Sequence, residues 1–306
     1  DNSSILYRML ELAGVKGNLT WIGTRDIPYT YSEMPTPVVD NHMILSYENN
    51  GRTYYLDATG RYIKFGIPTS FIQGKEALVS YGNDFKIKNV PIIDAKINAV
   101  IDTTSIKIEN GTVLGNSKTS ISGYPKIDLF NDLEDENSQT KLKQLYNKKF
   151  VKGNNKFLVN SFKETNKYHY DNDFIVDYSF EIKNYAKKLG DEIYINLNLN
   201  KDLSTYKTDK KRKNAIEYDY KKYYSYTTVL EIPKGYKVDY LPEAVKVANK
   251  LINCEISYSI KENKVLYHQT IELNFLTLSI EEQKEVNKQI KTIERNYKEI
   301  VVLKKE

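Results

Sequence analysis

Apolar and polar positions along this chain repeat with two different periods. Near the start, Ile5, Leu6, Met9, Leu10 and Ala13 recur at helical spacing, and Gly14 stands where a helix C-cap would fall. That pattern predicts one amphipathic helix. The period then shortens. Leu19–Gly23, His42–Tyr47 and Thr53–Asp57 are apolar or alternating and predict three strands. Asn50-Gly51, between the last two, is a pair able to take positive φ in a hairpin turn. Residues 26–37 carry three prolines and read as a loop.

From about Lys86 the character changes to many short alternating runs. Residues 95–124 predict a hairpin turning at Glu109–Thr112. Further strands are predicted at 157–159, 174–182, 192–199, 226–232 and 255–275, the last split by a turn at 261–264. Pro233–Val238 reads as a turn into another strand, and Ala244–Ala248 as strand or short helix. One helix is predicted over 132–150. A second starts at Ser279, which forms an S-x-x-E capping box with Glu282, and runs to about Tyr297 before a last strand at 300–303. The pattern predicts an α+β chain. Residues 1–85 form a helix plus an antiparallel sheet, and residues 86–306 a β-sandwich-like domain with inserted and C-terminal helices.

Length and composition fit that picture. A chain of 306 residues can bury one large or two ordinary cores. With 40% hydrophobic and 28% charged residues and a mean hydropathy of −0.57, it has a globular composition, and no run approaches the roughly 18 apolar residues of a membrane span. The net charge of +5 is mild. Its densest basic patch, Lys207–Lys213, reads as a solvated loop, because no nucleic-acid-binding motif accompanies it. The acidic run Asn131–Ser138 reads as a solvated helix start rather than a cation site. There is no glycine-rich phosphate loop and no HExxH, so neither a metal nor a cofactor is expected.

Candidate chemistry comes down to few residues. His42 opens one strand of the predicted hairpin and Asp57 closes the other, so both stand at the outer end of paired strands. An aspartate there can hold the imidazole by Nδ1–H and leave Nε2 free as a base. The same spacing is also met by a strand-end histidine and a turn aspartate with no partnership. No nucleophile is obvious. Cys254, the one cysteine, excludes an internal disulfide and a cysteine-built zinc site, and reads as a small core residue on a strand. Ser3 and Ser4 read as N-capping hydroxyls. His169 sits in a polar stretch and His268 on a strand, neither with an evident partner. Trp21 is a weak candidate for lining a substrate groove and a better one for the core.

The stretches DNSSILYRMLELAG and DNHMILSYENNGRTYYLDAT, followed by GIPTSFIQGKEAL, resemble the transglutaminase-like (papain-like cysteine) superfamily, and most of all its multidomain form common in Bacteroidetes. In that family a nucleophilic cysteine opens the helix in a GDCKD-type pattern, a histidine begins a strand and an aspartate ends the next. The resemblance makes His42 the base and Asp57 the orienting carboxylate, with the cysteine two residues before Asp1. Residues 1–4 would then form a shortened first turn. It also implies a peptide or protein carboxamide substrate, a periplasmic or cell-envelope location and a possible envelope partner. The LPxGY-like turn IPKGYKV and the terminal helix and strand resemble the same family's C-terminal region. Two functions follow as expectations. One is the C-terminal part of a thiol acyltransferase or amide hydrolase, inert without the upstream thiol. The other is a non-catalytic peptide- or glycan-binding or scaffolding module.

Overall fold

Helix α1 (Asn2–Leu12) stops where its sequence says it must. Gly14 takes φ +70°, its N–H reaches the Glu11 carbonyl at 3.0 Å, and the Val15 N–H reaches Leu10 at 2.8 Å. This is a Schellman ending, which turns the chain out of the helix at a position where a Cβ would be strained. The computed structural model of the protein describes residues 2–134, 136 and 138–306. Asp1, part of the expected first turn, lies outside the described residues, as do Asp135 and Asn137 of the acidic run.

The first unit runs to Asp94. Its strands are β1 (Gly17–Ile22), β2 (His42–Asn49), β3 (Arg52–Leu56), β4 (Glu76–Tyr81) and β5 (Asp84–Asn89), paired antiparallel in the order β3-β2-β1-β4-β5. Asn50 and Gly51, at φ 50° and 77°, make the two-residue turn between β2 and β3, as the right-handed strand twist favours. One sheet face closes on Ile22, Ile44, Tyr55, Ile72, Ala77 and Val90. Helix α1 packs on β1 and β2, yet Ile5, Met9 and Leu12 are exposed while Ser3 is buried. The apolar stripe read from the sequence is therefore only partly turned inward. After Gly66 the chain forms a single 3-10 turn, Ser70–Ile72, and then enters β4.

The second unit spans Ala95–Glu306. Its first residue lies beyond the boundary expected at 85/86, because β5 pairs back onto β4 and belongs to the first sheet. It contains β6 (Ala99–Glu109), β7 (Thr112–Ile121), α2 (Gly123–Glu134), α3 (Gln139–Lys149), β8 (Phe157–Thr165), β9 (Phe174–Ile182), β10 (Lys187–Leu189) and β11 (Glu192–Ile195). Then come β12 (Ile216–Glu217), β13 (Lys222–Glu231), β14 (Tyr236–Tyr240), β15 (Val245–Ala248), β16 (Ile252–Lys261), β17 (Lys264–Leu273), β18 (Thr277–Leu278), α4 (Ile280–Asn296) and β19 (Val301–Lys305). Eight of the strands form one sheet, β15-β16-β17-β13-β6-β7-β9-β8. Every pair in it is antiparallel except β13 and β6. A second sheet runs β10-β11-β19-β14, and β12 pairs with β18.

The one helix expected over 132–150 is two. Ser138 caps α3 by accepting the Lys141 N–H, which breaks the run after Glu134. Helix α2 starts at Gly123, whose φ is +61°, in a Gly-Tyr-Pro sequence that reads locally as a strand-ending turn. Proline is tolerated there because the first helical turn has no internal acceptors for its N–H groups. The capping box at Ser279 and Glu282 is present in both directions. Among the described residues no helix is long and apolar enough to cross a membrane.

Candidate active site

His42 is the first residue of β2, and Asp57 follows the last residue of β3. Leu45 and Leu56 are the outermost registered pair of the hairpin, so His42 and Asp57 meet just beyond the end of the ladder. His42 Nε2 donates to Asp57 Oδ2 at 2.9 Å. The nitrogen is the reverse of the one expected, since Nδ1 and not Nε2 is left free. The imidazole reaches back from the strand end, so its far nitrogen meets the carboxylate.

Asp57 is held from three further directions. Thr69 Oγ1 donates to the same Oδ2 at 2.8 Å, while the Thr59 N–H and Oγ1 donate to Oδ1 at 3.0 and 2.6 Å. The Asp57 side chain is 3% exposed and that of His42 18%. Burial pushes the Asp57 carboxyl up, but the hydrogen bonds from His42, Thr59 and Thr69 outweigh it and hold it below the usual carboxylate range. The bond to Asp57 in turn raises the His42 imidazolium, against a smaller opposing effect of burial. The imidazole also meets the edge of Phe71, with ring centroids 5.5 Å apart.

The approach to His42 is tied down. Asn41, just before it, accepts the Thr24 N–H and donates to Thr24 Oγ1, both at 2.9 Å. Tyr31 O–H donates to Asp40. The Tyr31 N–H donates to Glu76 at 2.7 Å, and Lys75 Nζ donates to the Ile27 carbonyl at 2.5 Å. Burial raises the Asp40 carboxyl, with Tyr31 and Lys75 acting against it. The proline-bearing loop is therefore fastened at both ends beside the strand that carries His42. The Ser3 hydroxyl, read from the sequence as a helix cap, donates to the carbonyl of Met43, the residue after His42. That bond fixes the first turn of α1 to the start of β2.

Of the residues singled out in the sequence, the fold brings His42 and Asp57 together. Trp21 is not brought to them. It pairs with Met43 and Leu78, whereas its neighbour Ile22 pairs with His42, and strand alternation puts Trp21 on the opposite sheet face. Cys254 is buried on β16, and burial pushes its thiol up to about 12, so it is a core residue and no nucleophile. His169 is exposed, its Nδ1 accepting the N–H groups of Asp171 and Asn172. His268 is exposed on β17, with Nδ1 bonded to the Thr227 hydroxyl. Among the described residues no group of His, Cys, Asp and Glu is arranged to hold a metal ion. Sequence reasoning missed Thr59 and Thr69. Thr59 carried a signal, because Asp-x-Thr is a local pattern for a side chain that caps its own turn. Thr69 carried none.

Residues 191–303 match a family model described as a domain of unknown function with a solved structure (DUF3858). No curated protein matches the chain. In fold, the chain is similar to the crystal structure of a "putative protease" from Parabacteroides distasonis, with a TM-score of 0.50 at 11% identity. The likeness covers 99% of this chain and 43% of that one, so the chain spans less than half the length of the structure it resembles.

Proposed function

We propose that His42 and Asp57 are the base and the orienting carboxylate of a thiol-dependent acyl-transfer or amide-hydrolysing centre of the transglutaminase-like kind. The nucleophile is a cysteine on the chain entering α1, ahead of residue 1. The observation that carries this reading is the His42–Asp57 pair itself, with Asp57 ionised by three supporting donors and Nδ1 of His42 left unengaged by it. The Ser3–Met43 bond supports the position of the nucleophile, since it ties the start of α1 to the residue beside His42. A thiolate there would gain from the helix N-terminus and from the neighbouring imidazolium.

In this mechanism Nδ1 of His42 takes the thiol proton, and the thiolate attacks a peptide or side-chain carboxamide carbonyl. The imidazolium returns the proton to the leaving amine, and an acyl-thioester remains. An amine or water, deprotonated by the same nitrogen, then releases the acyl group. Asp57 keeps its negative charge throughout and fixes the ring. The substrate class is a peptide or protein, and the setting is the periplasm or cell envelope, which fractionation of the source cells would test.

The test uses the longer protein with the segment ahead of residue 1. Its cysteine should react with iodoacetamide fastest near neutral pH, and His42→Ala should abolish that acceleration. An unaccelerated thiol, or one indifferent to His42→Ala, sinks the reading. Residues 1–306 alone should turn over no amide.

A further inference from the structure

We propose that the groove between α4 and the 208–212 loop docks an acidic peptide segment in extended conformation. The groove holds about 420 Å³. Lys210 and Arg212 line it from the loop, and Lys284, Lys288 and Lys291 from the helix. All five are exposed, and none has a carboxylate within ion-pair distance among the described residues. Two acidic groups at hand are already engaged. Asp209 accepts the Lys211 N–H at 2.8 Å, and Glu294 pairs with Lys207 at 2.5 Å. Against the one carboxylate in the lining, Asp209, the five cations leave a net positive charge around the concavity, which an anionic occupant relieves.

The groove is also fixed in shape. Asn287 accepts the Thr208 N–H at 2.9 Å and donates to the Thr208 carbonyl at 3.0 Å. Gln283 donates to the Asn214 carbonyl at 3.0 Å, and Arg212 donates to the carbonyls of Asn214 and Ala215. The loop is thus clamped to the helix, and Arg212 on it is held in place before anything binds.

Spacing and chemistry select the occupant. Lys284 and Lys288 are four residues apart on one helix face, about 6 Å along the axis. Side chains on one side of an extended peptide repeat at about 6.6 Å, so alternate carboxylates can meet successive lysines. Four of the five cations are lysines, point charges suited to single carboxylate oxygens. The one guanidinium is bound to backbone carbonyls and cannot offer the free fork that phosphate recognition favours. The lysine stems and Ile280 supply apolar wall to a concave site, which fits a chain lying in it and not a bilayer surface.

The test is fluorescence anisotropy with a labelled peptide of alternating Glu and Ser, titrated with the full 306-residue chain at low and at physiological salt. Binding should weaken steeply with salt. The triple variant Lys284→Gln, Lys288→Gln, Lys291→Gln should lose at least about tenfold in affinity, because the site's charge is what recruits the peptide. Lys107→Gln, an exposed lysine paired with Glu109 elsewhere in the unit, should change nothing. Far-UV circular dichroism checks that the triple variant is folded. Failure of the peptide to bind at low salt overturns the proposal, as does equal binding to the triple variant. Tighter capture by phosphatidylglycerol vesicles or by duplex DNA than by the peptide overturns it too. The proposal does not rest on the reading of His42 and Asp57.

Discussion

Asp57 holds His42 by Nε2 at 2.9 Å through an oxygen it shares with Thr69. Because that carboxylate accepts, the neutral imidazole carries its proton on Nε2 and presents a lone pair at Nδ1. The first prediction follows from this. Long-range ¹H–¹⁵N correlation of the full chain should show His42 as the Nε2–H tautomer above its titration. Its midpoint should lie above the ordinary value of 6.5, where the bond to Asp57 puts it. Asp57→Asn should bring the midpoint back down, since an amide cannot supply the charge. A His42 that titrates at 6.5 or below in the parent protein would show that the pair does not act as described.

The same two groups set a pH window for stability. His42 is raised on folding, so its contribution is complete below 6.5 and is lost as pH rises through the higher folded value. Asp57 is depressed, so its contribution is complete above 3.8 and is lost as pH falls through the lower folded value. Urea unfolding of the parent and of His42→Gln should therefore differ most between roughly pH 4 and pH 6.5, and the gap should narrow on either side. A difference that is flat from acid to alkaline pH would rule out the ion pair as its source.

Thr69 reaches Asp57 only because Gly60 leaves room. A Cβ at Gly60 would sit 2.8 Å from Cγ2 of Thr69 and 2.3 Å from Cδ1 of Ile63. The isoleucine tip can swing aside, but the threonine is β-branched and its hydroxyl is engaged. Thr69→Val should leave the fold intact, at a cost of about 1–2 kcal/mol for the lost donor to a buried carboxylate, and should move the His42 midpoint. Gly60→Ala should move that midpoint in the same direction. If both variants shift the unfolding midpoint and neither shifts the His42 titration, the two residues are structural and not positioning.

The hairpin that builds this site was legible because its signals are local. Asn50-Gly51 fixes the turn, and the turn fixes which residues stand at the strand ends. What was not legible depends on distant parts of the chain. Which ring nitrogen Asp57 would take depends on how the imidazole is turned beyond the end of the ladder, which no local pattern records. That Thr69 would close the site follows from a loop whose course no periodicity records. Trp21 went to the other sheet face because one residue of register decides the face. In the larger unit the strands read well from alternation. Helix α2 did not, because its Gly-Tyr-Pro start looks like the end of the preceding strand.

The last prediction concerns a charge pair hidden in that larger sheet. Lys152 Nζ donates to Asp102 Oδ1 at 2.8 Å, with the two side chains 1% and 4% exposed. Burial opposes both charges, yet each is maintained. Lys152 and the hydroxyls of Thr104 and Thr119 hold the Asp102 carboxyl below its usual range, and Asp102 keeps the Lys152 ammonium above its own. Asp102 lies on β6 amid alternating positions that otherwise carry β-branched or aliphatic residues, so its burial is a feature of the site and not of the pattern. Removing one partner strands the other charge in a dry environment. Lys152→Met should therefore cost about 3–5 kcal/mol, whereas the double replacement Lys152→Met with Asp102→Leu should recover much of that loss. The recovery will be incomplete, because Thr104 and Thr119 would lose their acceptor. Urea unfolding of the parent, the two single variants and the double variant measures the coupling directly. Additive losses would mean that the two side chains are stabilised by their separate surroundings and not by each other.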